Sequence, residues 1–245
     1  MSAFRCDLHM HSCLSPCGDE EMTPGSIAGI AKLNGLDIAA LTDHNTCGNC
    51  EPFFAFCETY GVTPVAGMEL TTSEDVHLLC LFRTLADAKA FSAKVSGQRI
   101  RIRNRSEIFG RQILIGPDDE PAGEEEDLLV NATNLSLEEA ARLAWGGRGA
   151  AIPAHIDREA NGALSVLGEL PEKPDFPVVE VRNPERIAGL QREHPNLVGK
   201  RVVVSSDAHC LWDVADPGFP IELPCPASAD AQTVRDALID YLLGK

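Results

Sequence analysis

Eight short apolar runs, none longer than a strand and each set off by turn or helix-start residues, constrain this chain more than any other feature. They lie at residues 4–9, 37–42, 62–66, 76–82, 150–154, 178–182, 201–205 and 220–223. Several are apolar almost throughout, the pattern of strands buried on both faces. Helical segments fill the gaps. Thr23-Pro24 places a cap before a proline at the first helical position, with Ile27, Ile30 and Ala31 at helical spacing and Gly35 as the stop. Ser136 with Glu139 makes a capping box ahead of Ala140, Leu143 and Ala144, and residues 228–243 carry Val234, Leu238 and Leu242 on one face. Such alternation predicts a parallel α/β fold, open or closed into a barrel, and residues 1–245 suit a single domain of that kind.

Residues 96–135 break the rhythm. A basic run at 98–105, with Arg99, Arg101, Arg103 and Arg105, gives way to an acidic one at 117–127, with a turn signal at 116–119. The stretch reads as an insertion, a hairpin seated on the barrel and too short for a core of its own. Arginines alternating with Ile100 and Ile102 suit an edge strand with one charged face. An insertion overhanging a pocket would let the same arginines guide a nucleotide or short single strand, with Phe109 as the one nearby aromatic.

Charge and cysteine content narrow the function classes. With 21 basic against 37 acidic residues the net charge is −16, which opposes duplex nucleic-acid binding by phosphate neutralisation. The longest apolar runs, 53–57 and 78–82, are far too short to span a bilayer. No basic stretch followed by an apolar one opens the chain, so a cytoplasmic protein is expected. Nine cysteines, an odd number, point to reduced thiols. Cys47 and Cys50 form a C-x-x-C, and Cys13 and Cys17 fall in a neighbouring strand-end loop. Four thiolates could hold zinc or an iron–sulfur cluster, or one pair could act as a redox switch. A C-x-x-C on the first turn of a helix, with no ligand, is favoured because the second pair lacks the regular spacing.

The histidines carry the chemistry, since barrels and open α/β sheets place their sites at the C-terminal ends of strands. His9 and His11 close the first run two residues apart, so strand alternation points both imidazoles to one face. Asp207 and His209 repeat that geometry after 201–205. Asp43-His44 follows 37–42, His155 follows 150–154, Glu69 follows 62–66, and His77 begins 78–82. A lone histidine or aspartate at a strand end is usually a satisfied polar group, and Asp43 and Asn45 could be simple caps. Eight such groups at six strand ends are harder to dismiss, and converging imidazoles and carboxylates suit Zn, Fe or Mn. His194, between Glu193 and Pro195 at a helix end, reads as surface.

Asp-Leu-His-Met-His at 7–11, Leu-Thr-Asp-His-Asn at 41–45, Gly-Met-Glu at 67–69 followed by Val-His-Leu-Leu at 76–79, Pro-Ala-His at 153–155 and Ser-Asp-Ala-His at 206–209 resemble, in order and spacing, the motif series of the PHP (polymerase and histidinol phosphatase) domain. The resemblance runs from residue 6 to about 212, apart from the insertion. It implies a distorted (β/α)7 TIM-like barrel, two or three divalent metal ions (Mn2+, Zn2+ or Fe2+) and phosphoester hydrolysis. By position, His9, His11, Glu69 and Asp207 would hold a first ion. Glu69 would bridge to a second, completed by His77 and His155. His44 and His209 would hold a third, with Asp19 as the preferred further ligand and Cys17 the runner-up, this loop departing from the commoner patterns. Asp7 and Asp43 would orient imidazoles.

The expected reaction is hydrolysis of a phosphate ester of a small metabolite or nucleotide by a metal-bridged hydroxide, with Glu69, Asp207, His44 and His209 at its centre. His44 or His209, if not ligating, would protonate the leaving group. Arg158 would clamp the phosphate, with Arg182 and Asn183 weaker candidates and a plain surface ion pair the bland account of Arg158. The competing classes are an exonuclease or oligonucleotide phosphatase on short single strands, a non-catalytic metal-binding module, and hydrolysis of a C–N bond on a similar barrel.

Overall fold

The computed structural model describes residues 1–245. From the N-terminus come β1 (Ser2–Asp7), α1 (Pro24–Leu33), β2 (Ile38–Leu41), α2 (Cys50–Tyr60), β3 (Thr63–Thr71), β4 (His77–Phe82) and α3 (Leu85–Ser96). Residues 96–135 hold α4 (Ser106–Phe109), β5 (Ile113–Ile115) and β6 (Pro121–Glu124). Then follow α5 (Leu137–Gly146), β7 (Gly149–Pro153), α6 (Ala163–Leu167), β8 (Val178–Val181), α7 (Ile187–Glu193), β9 (Arg201–Val204), β10 (Phe219–Leu223) and α8 (Ala231–Leu242). No helix is long and apolar enough to cross a membrane.

Six strands make a curled sheet in the order β10-β1-β2-β3-β4-β7, and β8 and β9 form a separate parallel pair. β1, β2 and β3 are parallel, as the alternation predicts. β4 is not: it runs antiparallel to both β3 and β7. A parallel return needs a crossover of a dozen or more residues, whereas β3 and β4 are joined by a tight turn in which the Thr72 N–H donates to the Val76 carbonyl at 2.9 Å and Asp75 takes φ +63°. β10 is also reversed, pairing antiparallel with β1 from Ser2↔Leu223 to Cys6↔Phe219. Beyond that pairing, the continuation of β1 meets the continuation of β9 in a parallel bridge, Met10↔Ala208. The sheet is thus drawn together at the rim, while β10 lies along nearly all of β1 below it.

Period-two alternation buries both faces. Ile38 and Ala40 join Phe4, Leu8, Val65, Leu79 and Ile152 in one apolar cluster, which Val234, Leu238, Ile239 and Leu242 of α8 complete. Ala39 and Leu41 face the other way, into the layer formed with Ile27, Ala31, Phe53, Phe91 and Ala140 of the surrounding helices. This explains the near-continuous apolar runs. Thr23 caps α1 and the Ser136–Glu139 capping box opens α5, but α8 is capped by Asp230 rather than Ser228.

β5 and β6 pair antiparallel, with Gly116 N–H donating to the Glu120 carbonyl at 2.8 Å in the turn. The arginine run forms no edge strand. It makes only isolated bridges, Arg99↔Thr133 and Arg103↔Asp127, because its charges fold back onto the acidic half: Arg99 lies 3.1 Å from Glu125 and Arg101 2.6 Å from Asp127. The β5–β6 segment is fastened to the rest of the fold by apolar contact of Ile113 and Ile115 with Cys13, and by Asp119, which accepts from Thr23 Oγ1 at 2.6 Å and Gly25 N at 2.8 Å.

Candidate metal centre

Every strand of the rim delivers a polar group to one point. His9 and His11 follow β1, both buried, with Nε2 atoms 3.1 Å apart. His44 follows β2 and forms a parallel bridge with Glu69. Glu69 lies within β3 rather than after it, because pairing with β4 carries β3 on to Thr71. The reversal of β4 brings its first residue, His77, to the rim where the parallel strands end. His155 follows β7, and Asp207 and His209 follow β9. His155 and Asp207 take φ of +28° and +54°, a conformation uncommon for these residues and characteristic of functional sites.

Glu69 is the hub. Its Oε1 lies 2.7 Å from His77 Nδ1, 2.9 Å from His155 Nε2 and 3.3 Å from His9 Nε2. Its Oε2 lies 3.3 Å from His11 Nε2 and 3.2 Å from His44 Nδ1. Asp207 Oδ1 is 3.4 Å from His9 Nε2 and 3.3 Å from His11 Nε2. Three sets have donor atoms mutually within 4.8 Å: His9, His11, Glu69 and Asp207; His44, Glu69 and His77; and His11, His44 and His209. Buried Asp207 Oδ1, His44 Nδ1 and His155 Nδ1 have no hydrogen-bond partner. Orphaned buried polar atoms call for a compensating group, and nitrogen and carboxylate donors at these separations fit divalent cations.

The charges are interdependent. Burial disfavours a charged His9 ring, but Glu180, Glu69 and Asp207 outweigh it and hold its pKa well above the ordinary value. Burial likewise opposes His11, and its bonds to Asp207 and Glu69 carry it up to about 9. His44 goes the other way, pushed well below its usual range by burial. His209 falls to about 4 through burial and the nearby His11 charge. Burial would raise Glu69 and Asp207, yet the surrounding imidazoles keep both ionised to low pH.

Other candidates fall out unevenly. Asp43 accepts from Ser12 N, Ser12 Oγ and Ser15 Oγ, each at 2.7 Å, and Ser15 Oγ lies 3.0 Å from His11 Nδ1, so Asp43 orients that ring through a serine. Asp7 touches no imidazole nitrogen; it fastens the Ser206 and Ala215 backbone and the Ser206 hydroxyl. Asp19 is exposed and joins none of the three donor sets, while Cys17 lines the cleft above them. No cysteine enters a donor set: Cys47 and Cys50 lie buried against the Gly67 carbonyl, and Cys13 against that of Ile113. Arg158 Nη1 lies 2.5 Å from Asp207 Oδ2 and Arg182 Nη1 4.0 Å from the same oxygen. Asn183 instead caps the turn after β8, accepting from Glu185 N. The cleft has a volume of about 370 Å³ and is lined by His44, Glu69, His77, Asp207, His209 and Arg158, with Val130 and Asn161. Glu180 is the residue that sequence reading missed. Its signal was a lone carboxylate inside the apolar Val178–Val181 strand.

Comparisons with known proteins follow this geometry. The sequence profile of the PHP domain matches residues 7–134, just over half of the chain. An uncharacterized protein of Methanocaldococcus jannaschii is 29% identical over 106 residues, 40% of this chain and 61% of that protein. The lesion-specific endonuclease PfuEndoQ of Pyrococcus furiosus superposes with a TM-score of 0.61 at 19% identity, over 96% of this chain and 56% of the endonuclease. An amidohydrolase of Chromobacterium violaceum, with bound sulfate and no metal, gives a TM-score of 0.57 at 18% identity, over 95% of this chain and 96% of that one. The chain thus spans little more than half of the archaeal proteins it matches. At these identities the two superpositions establish a shared fold.

Proposed function

This chain belongs to the PHP domain family, and on that premise we propose that it is a metal-dependent phosphoesterase acting on a small phosphorylated metabolite or nucleotide. The observation that carries the reading is a rim of imidazoles and two carboxylates flooring a cleft that the Arg158 guanidinium lines. His9, His11, Glu69 and Asp207 would hold one cation, and Glu69, His77 and His155 a second. The third donor set, His11, His44 and His209, would take a further ion. When bound, such ions acidify water and offset charge on phosphate oxygens.

The chain's own residues supply the rest. Arg158 holds Asp207 with one nitrogen of a planar fork, leaving further N–H donors for a phosphate oxygen. Arg182, at 4.0 Å from the same carboxylate, adds positive charge at the same edge. His44 and His209 are held neutral by burial, which suits them to ligation rather than to protonating a leaving group. Val130 and Asn161 wall the cleft, whose volume lies within the range of small-molecule sites.

A second reading, an exonuclease or oligonucleotide phosphatase, draws on one observation. Arg103 and Arg105 have no carboxylate within ion-pair distance, and the insertion packs its Gly110 against Pro16, next to cleft residue Cys17. The superposed endonuclease adds weight to that alternative, and the superposed amidohydrolase to C–N bond hydrolysis. Metal analysis of the purified protein, then assays with Mn2+, Zn2+ and Fe2+ on phosphomonoesters, single strands of graded length and amides, tests the choice. Turnover of small phosphomonoesters lost on chelation is expected. Preference for longer strands with steep salt dependence would favour the nuclease, and no phosphoester turnover with any metal would overturn both.

A further inference from the structure

We infer that Glu180 is a positioning residue that joins the two proposed ion sites, fixing the ring of His9 and the backbone of His155 with a single carboxylate oxygen. The inference rests on reading the rim as a metal centre. Glu180 is fully buried in β8 between Val179 and Val181. Its Oε2 lies 3.0 Å from His9 Nδ1 and accepts from the His155 backbone N–H at 2.9 Å. Its Oε1 has no partner. A buried carboxylate with one idle oxygen is a costly element in an apolar strand, and every polar contact its side chain makes goes to a rim histidine.

Two consequences follow. Accepting from His9 Nδ1–H leaves Nε2, which lies within 3.4 Å of Glu69 Oε1, Asp207 Oδ1 and His11 Nε2, as the nitrogen that would turn its lone pair to an ion. Holding the His155 N–H steadies a residue at φ +28°, whose Nε2 lies 2.9 Å from Glu69 Oε1. His9 belongs to the first donor set and His155 stands beside the second, so one side chain in β8 sets a ligand in each. A carboxylate behind a ligating imidazole also raises its basicity as a donor.

Glu180→Gln separates charge from geometry, because an amide oxygen in the Oε2 position still accepts both bonds. Glu180→Ala removes both. Affinity for Zn2+ and Mn2+ is measured by competition with a chromophoric chelator, the visible spectrum of the Co2+-loaded protein reports ligand geometry, and unfolding in excess chelator reports the fold. Glu180→Gln is expected to bind about 10–100-fold more weakly than the wild type with its chelated unfolding midpoint kept, and Glu180→Ala to weaken both ion sites and shift the Co2+ spectrum. If the alanine variant does not fold, the glutamine variant decides alone. Affinities within twofold of the wild type with an unshifted spectrum would overturn the inference, as would a wild type that takes up no ion. Turnover is read separately: a metal-loaded wild type that hydrolyses no phosphate ester counts against the proposed function and not against Glu180.

Discussion

Removing the Glu69 carboxylate should empty two ion sites at once, whereas removing that of Asp207 should empty one. Glu69 sits within 3.3 Å of donor nitrogens on five histidines and belongs to two of the three donor sets, while Asp207 belongs to one. Four-ligand zinc sites in proteins are worth roughly 10–16 kcal/mol, so one ligand contributes about 3 kcal/mol. At about 1.36 kcal/mol per decade this is a loss of roughly 100-fold in affinity at each site the ligand serves. Glu69→Ala should therefore lose both ions, and turnover with them, on dialysis that leaves the wild type loaded. Asp207→Ala should keep the ion beside His77 and His155. Elemental analysis after dialysis, paired with hydrolysis of a generic phosphate ester, reads both quantities. Should Glu69→Ala retain wild-type metal content and rate, the hub role would be refuted. Equal losses in the two variants would refute the division into sites.

Other perturbations probe separate parts of the rim. Arg158→Ala should raise KM for phosphate esters about tenfold or more, the worth of a charge-assisted hydrogen bond, with metal content kept; an unchanged KM would leave Arg158 as a plain partner of Asp207. Asp43→Ala deletes three bonds of 2.7 Å to a buried loop and should cost about 3 kcal/mol, lowering Tm by about 6–12 °C for a chain of this size; a shift under about 2 °C would show that the loop is held otherwise. In chelator, the His11 ring, opposed by burial but raised to about 9 by Asp207 and Glu69, contributes stability in full below its unfolded value of about 6.5, and that contribution fades as pH rises through 9. His209, lowered to about 4 chiefly by burial, must instead be charged on unfolding as pH drops below about 6.5, so stability falls on that side too. Thermal unfolding of the chelated protein should accordingly peak near pH 6–7, and a steady rise in Tm from pH 6 to 9 would contradict it.

Local patterns gave the parts. Alternation fixed β1, β2, β7, β8 and β9 to within a residue or two, capping residues placed the starts of α1 and α5, and two-residue spacing put His9 and His11 on one face. Each depends on bonds between near neighbours, and near neighbours are what a sequence displays. The motif series picked out the side chains that gather at the rim for the same reason, its members being short and ordered.

Tertiary structure decided the rest. The reversal of β4 turned His77 from a strand start into a rim residue. Pairing within residues 96–135 committed Arg99 and Arg101 to Glu125 and Asp127 instead of to an open charged strand. Asp19 was set aside and Glu180 brought in, because one faces solvent and the other faces His9 from 171 residues away. Which groups meet across such separations depends on strand order and direction, and those follow from how the whole chain buries its apolar faces, a balance that no single stretch of sequence contains.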